Sequence, residues 1–166
     1  MSAYELAQLN IGIIRGPMDS PLMAQFAANL ERINALAERS LGFVWRLQTE
    51  DGNATAIRPF DDDSMLVNMS VWRDVESLRN YVYASAHVQI MRRRREWFER
   101  MSEAYLVLWW VPRGHRPGIA EGIAKLDALQ KNGPGPEAFT FRETFPPPDA
   151  PGCERPGGFA DECPAG

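Results

Sequence analysis

His87 is one of two histidines in the chain, and it falls on the apolar side of a helical pattern. His87, Ile90, Met91 and Arg94 recur at i, i+3, i+4 and i+7, and the same stripe continues through Trp97, Phe98 and Met101. An imidazole on such a face can contact a ligand, carry a proton, or bind haem iron axially. The plainer alternative is a core-edge histidine hydrogen-bonded to a neighbour. Arg94 on the same stripe either meets an acidic ligand group or reaches past the apolar surface to water. A second set of polar residues lies on strand-like sequence. In Tyr4 to Arg15 the odd positions Ala7, Leu9, Ile11 and Ile13 are apolar, so Gln8 and Asn10 share the opposite face. In Met65 to Trp72 the apolar face is Met65, Val67, Met69 and Val71, and the other carries Asn68, Ser70 and Trp72. Uncharged amides and hydroxyls of this kind orient a carbonyl or phenol, or stabilise an oxyanion; the alternative is a buried network that fixes strand register.

The elements that must position these groups follow in order. After the first strand, Gly16-Pro17 is a break, and Asp19 or Ser20 is expected to cap a helix with Pro21 in its first turn, running to about Ser40. Phe43 to Glu50 is expected as a second strand with Phe43, Trp45 and Leu47 on one face and Val44, Arg46 and Gln48 on the other. Asp51-Gly52 is a turn signal, with Ala54 to Arg58 a candidate return arm. Asp74 caps a second helix predicted to reach about Met101 with a bend near Ser85. Tyr105 to Val111 is apolar on both faces and reads as a buried strand. The order is βαββαβ, the ferredoxin-like α+β pattern, in which the first and third strands are central neighbours. Gln8 and Asn10 would then lie beside Asn68, Ser70 and Trp72 in the middle of the sheet, where packing alone would favour Val or Ile. Residues 1–117 are read as this domain. Residues 118–146 are an extension of it: a helix from Ile119 to Lys131, then an alternating strand from Phe139 to Phe145. Residues 147–166 are a Pro/Gly-rich tail expected to lack stable structure.

Other features carry less. Arg92 to Arg95 fan around a helix axis beside Glu96 and Glu99, which describes a solvated face better than a nucleic-acid patch. The net charge of -4 and pI near 5.3 give no field to attract nucleic acid or an anionic membrane. No apolar run approaches the length of a membrane span. Asp61 to Asp63 read as a strand lead-in rather than a metal site. His115 has no partner ligand nearby in sequence, and Cys153 and Cys163 are a weak zinc signal. Cysteines confined to the tail, and an N-terminus that enters strand-like sequence directly, give a cytoplasmic expectation. GxGxxG, P-loop, GxSxG and HExxH patterns are absent. Of five tryptophans, Trp109 and Trp110 point to opposite faces of one strand, which leaves Trp72 and Trp97 as candidates for lining a flat aromatic ligand.

The segments AQLNI, GFVWRLQTEDGNAT, LVNMSVW, SAHVQIMRRRREWF, LVLWWVPRGHRP and EAFTFRETFPPP together resemble a bacterial family of unknown function, the one numbered 3291, over about residues 4 to 148. That family is similar to the dimeric α/β-barrel superfamily, in which two ferredoxin-like subunits put their sheets together. Its relatives include cofactor-independent antibiotic-biosynthesis monooxygenases, haem-degrading monooxygenases and small isomerases. The resemblance implies a homodimer with a pocket. In the haem-degrading relatives an Asn on the first strand, a Trp ending the third and a His on the second helix line that pocket, and Asn10, Trp72 and His87 fall on the matching elements. The Trp72-to-His87 gap is longer than in those relatives. The helix and strand after residue 117 also exceed the minimal fold; they would cover the pocket or lengthen the dimer interface.

The reading is an enzyme acting on a small hydrophobic molecule, aromatic or polyketide-like, by cofactor-independent oxygenation. His87, Asn10 and Arg94 form its catalytic set, and Trp72, Asn68, Ser70, Trp97, Gln8 and Arg46 its binding set. No cofactor is the first expectation, and haem on His87 is the alternative. An isomerase or cyclase on the same fold, or a non-catalytic ligand-binding dimer, are the other readings.

Overall fold

The computed structural model describes residues 2–48 and 64–151. The expected turn at Asp51-Gly52, the return arm at Ala54 to Arg58, the Asp61 to Asp63 run, and both cysteines lie outside the described residues. Among those described, the order is β1 (Tyr4–Ile13), α1 (Ala24–Arg39), β2 (Phe43–Arg46), β3 (Met65–Trp72), α2 (Val75–Val82), α3 (Ser85–Arg92), α4 (Arg94–Trp97), β4 (Leu106–Pro112) and α5 (Ile119–Asn132). The four strands form one sheet in the order β2-β3-β1-β4, every pair antiparallel. This is the ferredoxin-like α+β arrangement, with β1 and β3 at its centre as the sequence pattern requires.

Because strand side chains alternate, the two faces of the sheet have different chemistry. On one face Ala7, Leu9, Ile11, Val67, Met69 and Val71 pack with residues of β4 against Leu126 and Leu129 of α5. On the other, Leu6, Gln8, Asn10 and Gly12 stand opposite Trp72, Ser70, Asn68 and Leu66 in register. The helices α1 to α4 lie over this second face, where Ala37, Leu78 and Trp97 are buried beneath them.

Several elements depart from their expected bounds, each for a local reason. α1 starts at Ala24 rather than at Ser20-Pro21, and its N-cap Met23 makes no side-chain cap. The Ser20 hydroxyl instead donates to the Pro17 carbonyl, which spends the capping group on a turn. Bonds from Met23 N to Ser20 O and from Ala24 N to Pro21 O lead into the helix. β2 carries a bulge between Phe43 and Trp45. One extra residue reverses the alternation, so Phe43 packs with Trp72 on the helix-covered face while Trp45 and Leu47 join the α5 face. Arg46 falls opposite Ser70, on the helix-covered side.

The single helix expected from Asp74 to Met101 is three short ones. It breaks at Ala84, whose backbone is extended, and again at Arg93; the first break agrees with the bend expected near Ser85. After α4, Phe98 is extended and bridges to Ile14. The strand expected over Phe139 to Phe145 reduces to one bridge. Phe139 exchanges both backbone bonds with Leu108 at 2.8 Å, and the chain then turns, with Thr140 N reaching Glu143 O. The Phe145 carbonyl is held by the Trp110 indole N–H at 2.8 Å, so the segment wraps the β4 edge instead of extending the ladder.

α5 docks through a glycine. A Cβ at Gly122 would stand 2.5 Å from Leu9 Cδ1 and 3.3 Å from Met69 Sδ. In a free helix Gly122→Ala would gain about 1 kcal/mol of propensity. Here the overpacking outweighs that gain, and a net loss of about 1–2 kcal/mol is expected. Urea unfolding of the variant measures it, and a gain in stability would mean that α5 does not rest on the sheet in solution. With α5 on this face, the helix of the extension lies away from the pocket, while the segment after it packs Phe139, Phe141 and Phe145 with Leu6, Trp72 and Leu78 on the helix-covered side, and Thr140 and Phe141 line the cavity. A second copy would have to meet α5 or another surface rather than a bare sheet.

Candidate functional site

A cavity of about 730 Å³ lies between the sheet's polar rungs and the helices α1 to α4. That is the size range of a site for a drug-sized ligand. Its floor is three rungs of paired residues: Gln8 with Ser70, Asn10 with Asn68, and Gly12 with Leu66. Neighbouring rungs on one face are two residues apart, so the floor is roughly 13 Å long.

The first rung is a closed network. Gln8 Nε2 donates to Asn68 Oδ1 at 2.7 Å and to Ser70 Oγ at 2.8 Å, and the Trp72 indole N–H donates to the same Ser70 oxygen at 2.9 Å. Two donors on one hydroxyl oxygen leave the Ser70 proton free to point elsewhere. Gln8 and Ser70 are buried, whereas Asn68 is exposed. Asn10, in the middle rung, is half-buried, and its side chain has no hydrogen-bond partner among the described residues. It therefore offers the cavity both an amide donor and a carbonyl acceptor.

Trp72 is fully buried. Tyr81 stacks on it, with ring centroids 5.1 Å apart and planes 23° apart, and Phe43 meets it edge-on at 5.4 Å. Tyr81 thus occupies the ring face that the sequence reading left for a ligand. The Tyr81 hydroxyl donates to Ile33 O at 3.2 Å, and burial holds its pKa far above the ordinary phenol value. Trp97 is also buried, with Phe26 at 5.6 Å and the Arg93 guanidinium over its ring at 4.7 Å. Arg46, opposite Ser70, pairs through Nε with Glu38 at 2.7 Å.

His87 sits beside Tyr81, ring centroids 4.9 Å apart. Its Nδ1 is 2.8 Å from the Val82 carbonyl. A carbonyl only accepts, so Nδ1 carries the proton and Nε2 keeps its lone pair. The helix break creates this bond. Without it, the Val82 carbonyl would bond to the amide four residues on; at the end of α2 it is an orphan acceptor that the imidazole satisfies. Burial lowers the His87 pKa, partly opposed by the Val82 carbonyl, which favours the charged ring. The side chain is therefore a neutral imidazole with a basic Nε2 at neutral pH.

At the far rung, the Arg94 guanidinium carbon lies over two rings, 4.8 Å from the Phe98 centroid and 4.6 Å from that of Tyr105. Arg94 Nη2 makes one long bond, 3.4 Å, to Ile11 O. A Cβ at position 12 would stand 2.6 Å from the Phe98 ring, so glycine makes room for that ring, while Arg94 Nη2 would be at ordinary contact distance, 3.4 Å.

The structure brings Gln8, Asn10, Asn68, Ser70, Trp72, His87, Arg94, Trp97 and Arg46 around one cavity. It does so without the continuous helix face from which His87, Arg94 and Trp97 were first grouped. The residues not foreseen are Tyr81 and Tyr105. Tyr81 is six residues before His87, which matches no helical repeat, so only the break at Ala84 puts the two rings in contact. Tyr105 read as the start of a buried strand. Among the described residues no group of three or more His, Cys, Asp or Glu could hold a metal ion, and no helix is long and apolar enough to cross a membrane.

Among solved structures, the chain is similar to SnoaB, a cofactor-independent oxygenase from Streptomyces nogalater, at 22% identity over 70% of this chain and 100% of that one, with a TM-score of 0.48. It is similar to a conserved protein from Methanosarcina mazei Go1 at 10% identity over 64% of this chain and 92% of that one, TM-score 0.47. It is also similar to a candidate antibiotic biosynthesis monooxygenase from Nitrosomonas europaea at 9% identity over 71% and 97%, TM-score 0.46. No curated protein matches the chain. The model of one family matches residues 5–155, nearly the whole chain, and the protein belongs to that family, described as Domain of unknown function (DUF3291).

Proposed function

We propose that this protein is an enzyme that oxygenates a small aromatic or polyketide-like phenol or enol without a cofactor. The observation that carries the reading is the state of His87: a half-buried imidazole, Nδ1 committed to Val82, with Nε2 left as a base in the same cavity as the unpartnered Asn10 amide. Nε2 takes the proton of the substrate hydroxyl. The Asn10 amide, with Asn68 and Ser70 beside it, donates to the oxygen that becomes negative. The resulting carbanion-like anion passes one electron to O2, and the substrate radical and superoxide combine in a C–O bond. The imidazolium returns its proton to the peroxide, and loss of water leaves a carbonyl. The net change is CH2 + O2 → C=O + H2O, and the substrate is the only reductant.

The test is oxygen uptake with hydroxylated anthrones and naphthols, each consumed with one O2 and gaining a carbonyl. Substrate conversion without O2 uptake and with unchanged mass would point instead to an isomerase or cyclase.

A second reading has one specific observation behind it. An imidazole whose Nδ1–H is held by a carbonyl is also oriented to ligate metal through Nε2. His87 would hold haem iron, and Arg94 would face a propionate; bound haem would supply O2 binding and redox chemistry. Titration of the purified protein with hemin separates the two. On the favoured reading no stoichiometric Soret shift appears; a shift lost in His87→Ala would put haem first.

A further inference from the structure

We infer that the ligand of this cavity carries a carboxylate, held in a planar two-bond pair by Arg94, at the end of the cavity remote from His87. The inference rests on the cavity being a small-molecule site and narrows the class of its substrate to hydroxyaryl carboxylic acids.

The oxygenation scheme leaves Arg94 unused. Its guanidinium carbon lies over the Phe98 and Tyr105 rings, 4.8 and 4.6 Å from their centroids, so ring faces rather than carboxylates meet the cation. Of five N–H donors, one is engaged, by the 3.4 Å contact to the Ile11 carbonyl. Among the described residues no carboxylate pairs with it. The neighbouring Arg93 is the contrast: exposed to solvent at its side chain, it still binds Glu96 at 2.8 Å and contacts Gln25. Arg46, at the other end of the cavity, is also compensated, by Glu38. A partly desolvated cation without a counter-charge is costly, and burial accordingly lowers the Arg94 pKa.

The geometry selects the anion. A guanidinium presents parallel N–H bonds, which match the two oxygens of a carboxylate. A phosphate dianion would need more positive charge than Arg94 alone supplies; of the other arginines lining the cavity, Arg46 is paired with Glu38 and Arg92 is exposed to solvent. The length of the floor sets the rest of the molecule. A carboxylate at the Gly12 rung places the middle of the ligand over Asn10 and its far end roughly 13 Å away, near Ser70. Two or three linked or fused rings span that distance, with a hydroxyl or carbonyl within reach of Asn10.

The test is binding by titration calorimetry, using 6-hydroxy-2-naphthoic acid, its methyl ester and 2-naphthol. The acid should bind the wild type about ten- to a hundredfold more tightly than the ester. Arg94→Met should erase that preference while leaving ester binding within about twofold, and Arg94→Lys should restore only part of it. Thermal unfolding gives an independent readout. If Arg94 awaits a ligand charge, Arg94→Met should raise the melting temperature of the ligand-free protein; if it is only a structural staple between two rings, the melting temperature falls and the inference is overturned. Equal binding of acid and ester overturns the carboxylate pair but leaves the aromatic pocket standing. Failure of all three compounds to bind overturns both. Hemin binding that depends on Arg94, in place of naphthoate binding, would assign the carboxylate to a propionate and also overturn the inference.

Discussion

Replacing His87 with Asn is expected to lower kcat/KM by about 10²–10⁴-fold while leaving the fold intact. The choice of Asn matters. Its amide nitrogen overlies Nδ1 and keeps the bond to the Val82 carbonyl, so α2 and α3 stay joined as they are. What disappears is Nε2, the atom assigned to take the substrate proton. A loss in KM alone would mean that His87 binds rather than transfers a proton. The pH dependence sharpens the result. Because burial lowers the pKa of His87, the wild-type acid limb of kcat/KM should fall below the ordinary imidazole value of about 6.5. The same shift affects stability with a definite sign. Between the lowered folded value and about 6.5 the unfolded chain binds the proton and the folded chain does not. Stability is therefore full above about 6.5 and falls as the pH drops through the folded value. His87→Asn should flatten that slope, which denaturant titrations at several pH values would record. An unchanged slope would mean that His87 is not the group responsible.

Gly42→Ala is expected to destabilise the protein by about 3 kcal/mol or more, the largest effect of any single methyl. Two penalties act together. Gly42 has φ of +84°, a conformation that side chains resist. A Cβ there would also stand 2.1 Å from Ser77 Oγ and 2.4 Å from Ser77 Cβ. Ser77 is in the first turn of α2, where its amide donates to the Asp74 carboxylate at 2.8 Å, and the Arg73 amide bonds to the Gly42 carbonyl at 2.7 Å. The chain between α1 and β2 is therefore clamped against the start of α2. Pushing α2 away moves Tyr81, the ring stacked on Trp72 and beside His87, so ligand binding should weaken along with stability. The double variant Gly42→Ala/Ser77→Gly separates the penalties. It should recover the steric part relative to Ser77→Gly alone and retain the backbone part. Additive losses would show that the two positions do not touch.

The sheet was legible in the sequence because its signal is periodic and redundant. In β1 and β3 the alternation runs for eight residues or more, and a one-residue slip would bury Gln8 and Asn10 among Leu and Val. The polar rungs were legible for the same reason: Gln8, Asn10, Asn68 and Ser70 break an otherwise apolar pattern at matching positions. β2 was misread because a bulge is a single inserted residue with no compositional mark, and it turned Trp45 from one face to the other. The segment from Asp74 to Met101 was misread more deeply. Its residues have good helix propensity and apolar spacing throughout, and no Gly or Pro interrupts it. The break leaves the Val82 carbonyl without its helical partner, and His87, five residues on, satisfies it with a side-chain bond that carries no periodic mark in the sequence. His87 and Arg94 nevertheless line the same cavity, His87 from α3 and Arg94 from α4. Tyr105 was out of reach of such reasoning, since its contact with Arg94 joins residues with no periodic relation.

The placement of α5 has a consequence for how the protein responds to dilution. A sheet whose outer face is covered by a second copy owes part of its folding free energy to mass action, and its melting temperature falls as concentration falls. Here Leu126, Leu129 and the close approach at Gly122 cover that face from within one chain. The cover is present at any concentration, because the chain from Pro112 to Ile119 tethers it. A monomer with this cover should melt at the same temperature at nanomolar and at micromolar protein, and any concentration dependence would report copies pairing through another surface.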